Sequence, residues 1–152
     1  MSTWSEEIDE ALIAFATVAD LAGDPVAEGE IETEFLAAPH RPPPCLPPGK
    51  MAVYGFWWNG SWLKIGKAGP KSGARYKSQH YSLRSAQSTL AKSLANDSHI
   101  RTIAGFDPQN PGALIKASTH RVNILLPSKR RKELLSLLEA FLHLRLRPRY
   151  EG

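Results

Sequence analysis

Met51-Ala-Val-Tyr-Gly-Phe-Trp-Trp-Asn-Gly-Ser-Trp-Leu-Lys-Ile-Gly66 decides how the rest of this chain is read. Two runs rich in β-branched and aromatic residues flank an Asn-Gly pair, the dipeptide best suited to the positive backbone angles of a tight turn, so the stretch predicts a β-hairpin. Two registers are open. A two-residue turn pairs Trp58 with Ser61, whereas a three-residue loop with a left-handed Gly60 pairs Trp57 with Ser61. Side chains alternate along a strand, so a slip of one residue changes which of them share a face.

On the N-terminal side, Pro39, Pro42, Pro43, Pro44, Pro47 and Pro48 predict a stiff extended linker. Before it, Ile8, Leu12, Ile13, Phe15, Ala16, Ala19 and Leu21 recur at helical spacing, which predicts an amphipathic helix from Ser5 to Ala22 ended by Gly23 and Pro25. A polar acidic stretch holding Ile31, Phe35 and Leu36 joins the two. The expected division is an acidic N-terminal helix plus Pro-rich linker over 1–49 and a second domain over 50–152. On the C-terminal side, Ala74 to Tyr81, Ser85 to Ala95 and Ser98 to Ala104 have helical character, and Gly105 to Gly112 reads as a loop. Arg121 to Leu126 reads as a strand. Pro127-Ser128 opens a final helix through Arg145. The expected fold class is α/β (α+β), a small three-stranded mixed or antiparallel sheet flanked by helices with an N-terminal helical extension.

Charge is divided unevenly. Ten acidic residues against one basic give 1–49 a net of −9, while eighteen Lys and Arg against five acids give 50–152 a net of +13. A positive surface that concentrated attracts polyanions through counterion release, and the obvious polyanion is nucleic acid. The acidic segment is expected to contact the basic domain or a protein partner. The single Cys45 has no disulfide partner, the N-terminus lacks the basic character of a targeting signal, and no apolar run is long enough to span a bilayer. These features predict a cytoplasmic protein without a membrane partner.

Two sets of polar residues stand out from apolar surroundings. Lys64 interrupts the strand Trp62-Leu-Lys-Ile, where a lysine is uncommon unless it reaches solvent or a site. In the final helix Leu134, Leu135, Leu137, Leu138, Phe141, Leu142 and Leu144 cover most of the circumference and leave a stripe of Lys132, Ser136, Glu139, His143 and Arg147. Either the stripe faces water, with Glu139 supporting His143 and Arg147, or it lines a cleft where the carboxylate can hold a metal.

Ala52-Val53-Tyr54 on the first strand, Lys64-Ile65-Gly66 on the second, Arg75 within Ala74-Arg-Tyr-Lys-Ser-Gln-His80, and Glu139 followed by Pro148 stand in the order and spacing of the motifs of GIY-YIG nucleases. From Met51 onward, about two thirds of its length, the chain resembles that family. Ala52 replaces the first Gly, and Lys64 replaces the second Tyr, as in some restriction-enzyme-like members. The Asn usual after the closing Pro is absent, with Glu151 and Gly152 nearby.

The resemblance implies a metal-dependent endonuclease acting on DNA, with RNA left open as a substrate. It implies that Glu139 holds a magnesium ion, replaceable by manganese, that Arg75 clamps the phosphate, and that Tyr54 and Lys64 flank the attacking water with Lys64 as base. These roles require Tyr54 and Lys64 on one face of the hairpin, which favours the three-residue loop. His80 is an auxiliary acid or phosphate ligand, or else a structural residue capping its helix. Lys67, Lys71, Lys77, Arg84, Lys129, Arg130 and Arg131 are the expected nucleic-acid contacts. The alternative is a catalytically weak or inactive nucleic-acid-binding module on the same fold. Trp57, Trp58 and Trp62 are read as core more than as base-stacking platforms. Ser82, Ser85, Ser88 and Ser93 are read as caps and helix surface, and His40, His99 and His120 as structural or exposed.

Overall fold

The computed structural model describes residues 3–84 and 89–150. Its centre is one four-stranded antiparallel sheet in the order β1 (Glu32–Leu36), β4 (His120–Pro127), β2 (Lys50–Trp58), β3 (Ser61–Ala68). Helices cover both faces. On one face lie α1 (Trp4–Leu21) and α5 (Lys132–Leu146), which bury Ile8, Phe15, Leu134, Leu138 and Leu142 against Val53, Ile65, Val122 and Ile124. On the other lie α2 (Gly73–Lys77), α3 (Leu90–Ala95) and α4 (Pro111–Ser118), whose Tyr76, Leu90, Leu94 and Ile115 share a core with Tyr54, Phe56 and Leu63.

The N-terminal segment does not stand apart from this sheet. Glu32 to Leu36 pair along β4, from Glu32 opposite Leu125 to Leu36 opposite Arg121, giving four strands where three were expected. Residues α1 buries, Ile8, Ala11, Phe15 and Ala19, follow helical spacing, and a reciprocal capping box between Thr3 and Glu6 starts the helix two residues before the expected Ser5 cap. Arg130 ties the segment down from the far side, donating to Asp24 Oδ1 at 2.9 Å and to Glu30.

The helices between β3 and β4 depart most from expectation. Ala74 to Tyr81 is a short α2 followed by a 3-10 turn at Gln79–Tyr81, and Ser98 to Ala104 keeps one such turn at Ile100–Thr102. The expected helix from Ser85 becomes α3 capped by Thr89, whose side chain accepts from the Lys92 N–H, while Ser85 and Ser88 lie outside the described residues. Residues Pro111 and Gly112, expected in a loop, begin α4, because proline is pre-organised for the first helical position, where no amide donor is needed. The final helix starts at Lys132, so Lys129, Arg130 and Arg131 occupy the turn before it. No helix among the described residues is long and apolar enough to cross a membrane.

Candidate active site

The site is positioned by the hairpin, which combines features of both expected registers. Asn59 (φ 50°) and Gly60 (φ 84°) form a two-residue turn with Trp58 opposite Ser61, so the three-residue loop is not used. Between Phe56 and Trp57 the register then shifts. Trp57 faces Trp62 but Phe56 faces Lys64, leaving Leu63 as an extra residue in a β-bulge. The bulge restores the arrangement that a plain two-residue hairpin would have lost. Tyr54, Phe56 and Lys64 share one face, and Trp62 and Ile65 pack on the other.

Tyr54 is 1% exposed and lies across β3 at Gly66, its pairing partner. A Cβ on Gly66 would come within 2.9 Å of the phenol oxygen and 3.0 Å of Cζ, so only glycine leaves the ring this position. His80 Nε2 is 2.7 Å from the same oxygen. The backbone N–H of Leu90 donates to His80 Nδ1 at 3.0 Å. That bond leaves the imidazole proton on Nε2, so His80 donates to Tyr54, and the phenol's own proton is free to point elsewhere. Burial and the neighbouring charges of Arg75, Lys64 and Arg121 push the histidine down to about 2, which keeps it neutral. Both ring nitrogens are engaged within the protein, the arrangement of the structural alternative. His80 caps α3 and orients Tyr54.

Burial pushes the Tyr54 phenol up to about 12, against the opposing pull of the Arg75 and Arg121 charges, with Glu139 adding to the rise. Lys64 is 1% exposed, and its Nζ has no hydrogen-bond partner among the described residues. Burial and the Arg75 charge depress its ammonium, with Glu139 opposing. Tyr54 and Lys64 thus each feel the charges of Arg75 and Glu139. Of the four, Glu139 and Arg75 are only partly buried, at the solvent rim, while Tyr54 and Lys64 are each 1% exposed.

The polar stripe of α5 runs beside the open edge of β3, with Lys132, Ser136 and Arg147 exposed and Glu139 and His143 half-buried. Lys67 Nζ donates to Ser136 Oγ at 3.0 Å and lies 3.7 Å from Glu139 Oε1. His143 Nε2 is 2.9 Å from the Ile65 carbonyl, satisfying an acceptor that no further strand covers. Past the left-handed Arg147, the Arg149 and Tyr150 N–H groups donate to the Trp62 and Leu63 carbonyls and extend that cover to the bulge. Glu151 and Gly152 lie outside the described residues. Among the described residues no group of three or more His, Cys, Asp or Glu could hold a metal. Glu139 offers a single hard, part-exposed carboxylate, which fits an ion that takes most of its shell from water and substrate oxygens.

The expected nucleic-acid contacts separate. Lys67 and Lys71 line one groove with Lys132, a residue outside that set. Lys77, Arg84, Lys129 and Arg131 are exposed. Arg130 is taken up by Asp24 and Glu30, with 16% of its side chain exposed, and so is not offered to a phosphate. Trp62 is core, and Trp57 stacks on His120, whose own ring stacks on Trp4, which leaves neither free for bases.

Arg121 escaped the sequence reading. It is fully buried, with its guanidinium 4.9 Å from the Tyr54 ring centre and 4.9 Å from that of Tyr76. It donates to the Asn123 side chain, the Tyr81 hydroxyl and the Tyr76 carbonyl. Tyr81 also bonds His40, which is buried as a structural histidine. The signal was present in the alternation of Arg121 and Asn123 with Val122 and Ile124, but alternation alone reads as a solvent face. Comparison of the chain with protein-family models, curated proteins and solved structures finds no match.

Proposed function

We propose that this protein is a metal-dependent endonuclease that hydrolyses phosphodiester bonds in DNA, as its resemblance to GIY-YIG nucleases implies. The observation that carries the reading is that Tyr54 and Lys64, on one face of the hairpin, both feel the charges of Arg75 and Glu139, while the buried Lys64 Nζ has no hydrogen-bond partner among the described residues. A buried amine without a hydrogen bond is costly, and a site that must accept a proton explains why it is kept.

Relative basicity divides the roles. A phenol raised to about 12 is ionised in roughly one molecule in 10⁵ at neutral pH, so Tyr54 is a poor base. Lys64, depressed by burial and Arg75, is the better one. The neutral amine of Lys64, favoured by its burial, takes a proton from water to become the ammonium while the water oxygen bonds to phosphorus and the bond from phosphorus to the leaving oxygen breaks. Tyr54, held by His80, directs its own O–H toward that water. Arg75 clamps the non-bridging oxygens with its planar fork. Glu139 would hold the magnesium or manganese ion, which when bound supplies positive charge to the phosphate and the departing oxygen.

A second reading, a nucleic-acid-binding module without turnover, is favoured by one observation, the 1% exposure of both Tyr54 and Lys64. Supercoiled plasmid incubated with the protein and magnesium, with and without EDTA, separates the two. The nuclease reading expects nicking that EDTA abolishes. Glu139→Ala should lose that cleavage and keep DNA binding, and Arg75→Ala should lower the rate by about two to three orders of magnitude. Full cleavage by Glu139→Ala, or DNA binding without nicking, would overturn it.

A further inference from the structure

Beside the candidate site is a groove of about 330 Å³ between the loop that follows β3 and the first turns of α5. Three lysines line it from three parts of the chain, Lys67 on β3, Lys71 in the loop and Lys132 on α5, together with Ser72 and Ser136. Leu135, 3% exposed, supplies an apolar wall. Among the described residues no carboxylate lines the groove. A groove of that size takes one backbone unit and no folded partner.

Two features of α5 are unfavourable for folding alone. Arg131, its N-cap residue, makes no side-chain capping bond, so the first amides lack the acceptor that a Ser or Asp would give. Lys132 places a cation at the positive end of the helix dipole, next to Arg131. The one acid of that turn, Glu133, lies 3.7 Å from Arg131 and does not line the groove. An anion seated here would relieve both features.

We propose that this groove seats the backbone phosphate next to the scissile one in the bound DNA strand, with Lys71 and Lys132 as its main contacts. Lys67 links the two positions, since it lines the groove and also lies 3.7 Å from Glu139. The strand would thus cross the rim of the site along the axis from β3 to the start of α5, its sugar against Leu135. This rests on the nucleic-acid reading but requires no turnover.

The test is binding of a short fluorescent DNA duplex in EDTA, followed by anisotropy between roughly 50 and 200 mM salt. Lys71→Ala/Lys132→Ala should bind about tenfold more weakly, and its plot of log affinity against log salt should be shallower by about one. Arg41→Ala/Lys116→Ala removes the same charge from exposed positions outside the groove and should leave the slope unchanged. Equal slope losses in both double variants, an unchanged slope in the groove variant, or binding of RNA alone would overturn the proposal. Magnesium-dependent nicking is read separately. Nicking with an unaltered slope removes the groove and keeps the nuclease, and a groove-specific slope change without nicking does the reverse.

Discussion

His80 Nε2 and Tyr54 Oη lie 2.7 Å apart, and because the Leu90 amide occupies the other ring nitrogen, the histidine is the donor of this bond. The start of α3 thereby determines where the hydroxyl proton of a buried tyrosine on β2 can point. The same constraint makes His80 sensitive to acid. Its folded-state value of about 2 lies below the ordinary 6.5, so between those limits the unfolded chain binds the extra proton. Stability is therefore complete above pH 6.5 and falls by up to about 1.4 kcal/mol per pH unit below it. His80→Gln should be less stable than the parent at neutral pH and should lack this share of the acid slope, as measured by urea midpoints at a series of pH values. Parallel slopes in the two proteins would refute the assignment.

Lys64→Met should stabilise the protein. The substitution replaces a buried amine that has no hydrogen-bond partner among the described residues by an apolar chain of similar length, which should add about 1–3 kcal/mol while abolishing cleavage. Its folded-state value is depressed, so the penalty is full while both states are protonated and fades as pH rises through that value toward 10.5. Denaturation of both proteins across alkaline pH should show the difference narrowing. A destabilised Lys64→Met would mean that the amine is satisfied in solution.

Gly66→Ala tests the close approach of the tyrosine. The new methyl would sit 2.9 Å from the phenol oxygen and 3.0 Å from Cζ, forcing the ring aside at a cost of about 1–3 kcal/mol. Tyr54→Phe removes the nearest atom, so the double variant should lose less stability than the two single losses combined. Additive losses in thermal denaturation would show that the ring is not the obstacle.

Arg130→Met should weaken folding and leave DNA affinity unchanged. Its guanidinium neutralises Asp24 and Glu30, and its loss leaves Glu30, with 14% of its side chain exposed, without its main partner. A loss of about 1–3 kcal/mol is expected, with faster proteolysis around residues 24–30. A fall in DNA affinity with unchanged stability would instead place Arg130 in a nucleic-acid interface.

Local chemistry accounts for what the sequence could determine alone. The Asn59-Gly60 turn, the helical α1 with Ile8, Phe15 and Ala19 on its buried face and Ile13, Ala16 and Leu21 left exposed, and the polar line through Ser136, Glu139 and His143 follow from preferences within a few residues of each other. So do the face shared by Glu139 with its neighbours on α5 and the identity of Lys64 as a residue out of keeping with its strand, whereas Tyr54 and Arg75 stand out only through the family resemblance.

Contacts across long sequence separations decided the rest. Glu32 to Leu36 is a strand because β4 offers it an edge, not because its own residues demand one. Leu63 bulges because its side chain has a core to enter beside Tyr54 while Trp62 and Ile65 fill the opposite one, and this is what turns Lys64 inward. Arg121 is buried because the rings of Tyr54, Phe56, Tyr76 and Tyr81 converge on it from β2 and the α2 region. Periodicity tells which residues share a face, but the environment of that face is supplied by residues far away in the chain.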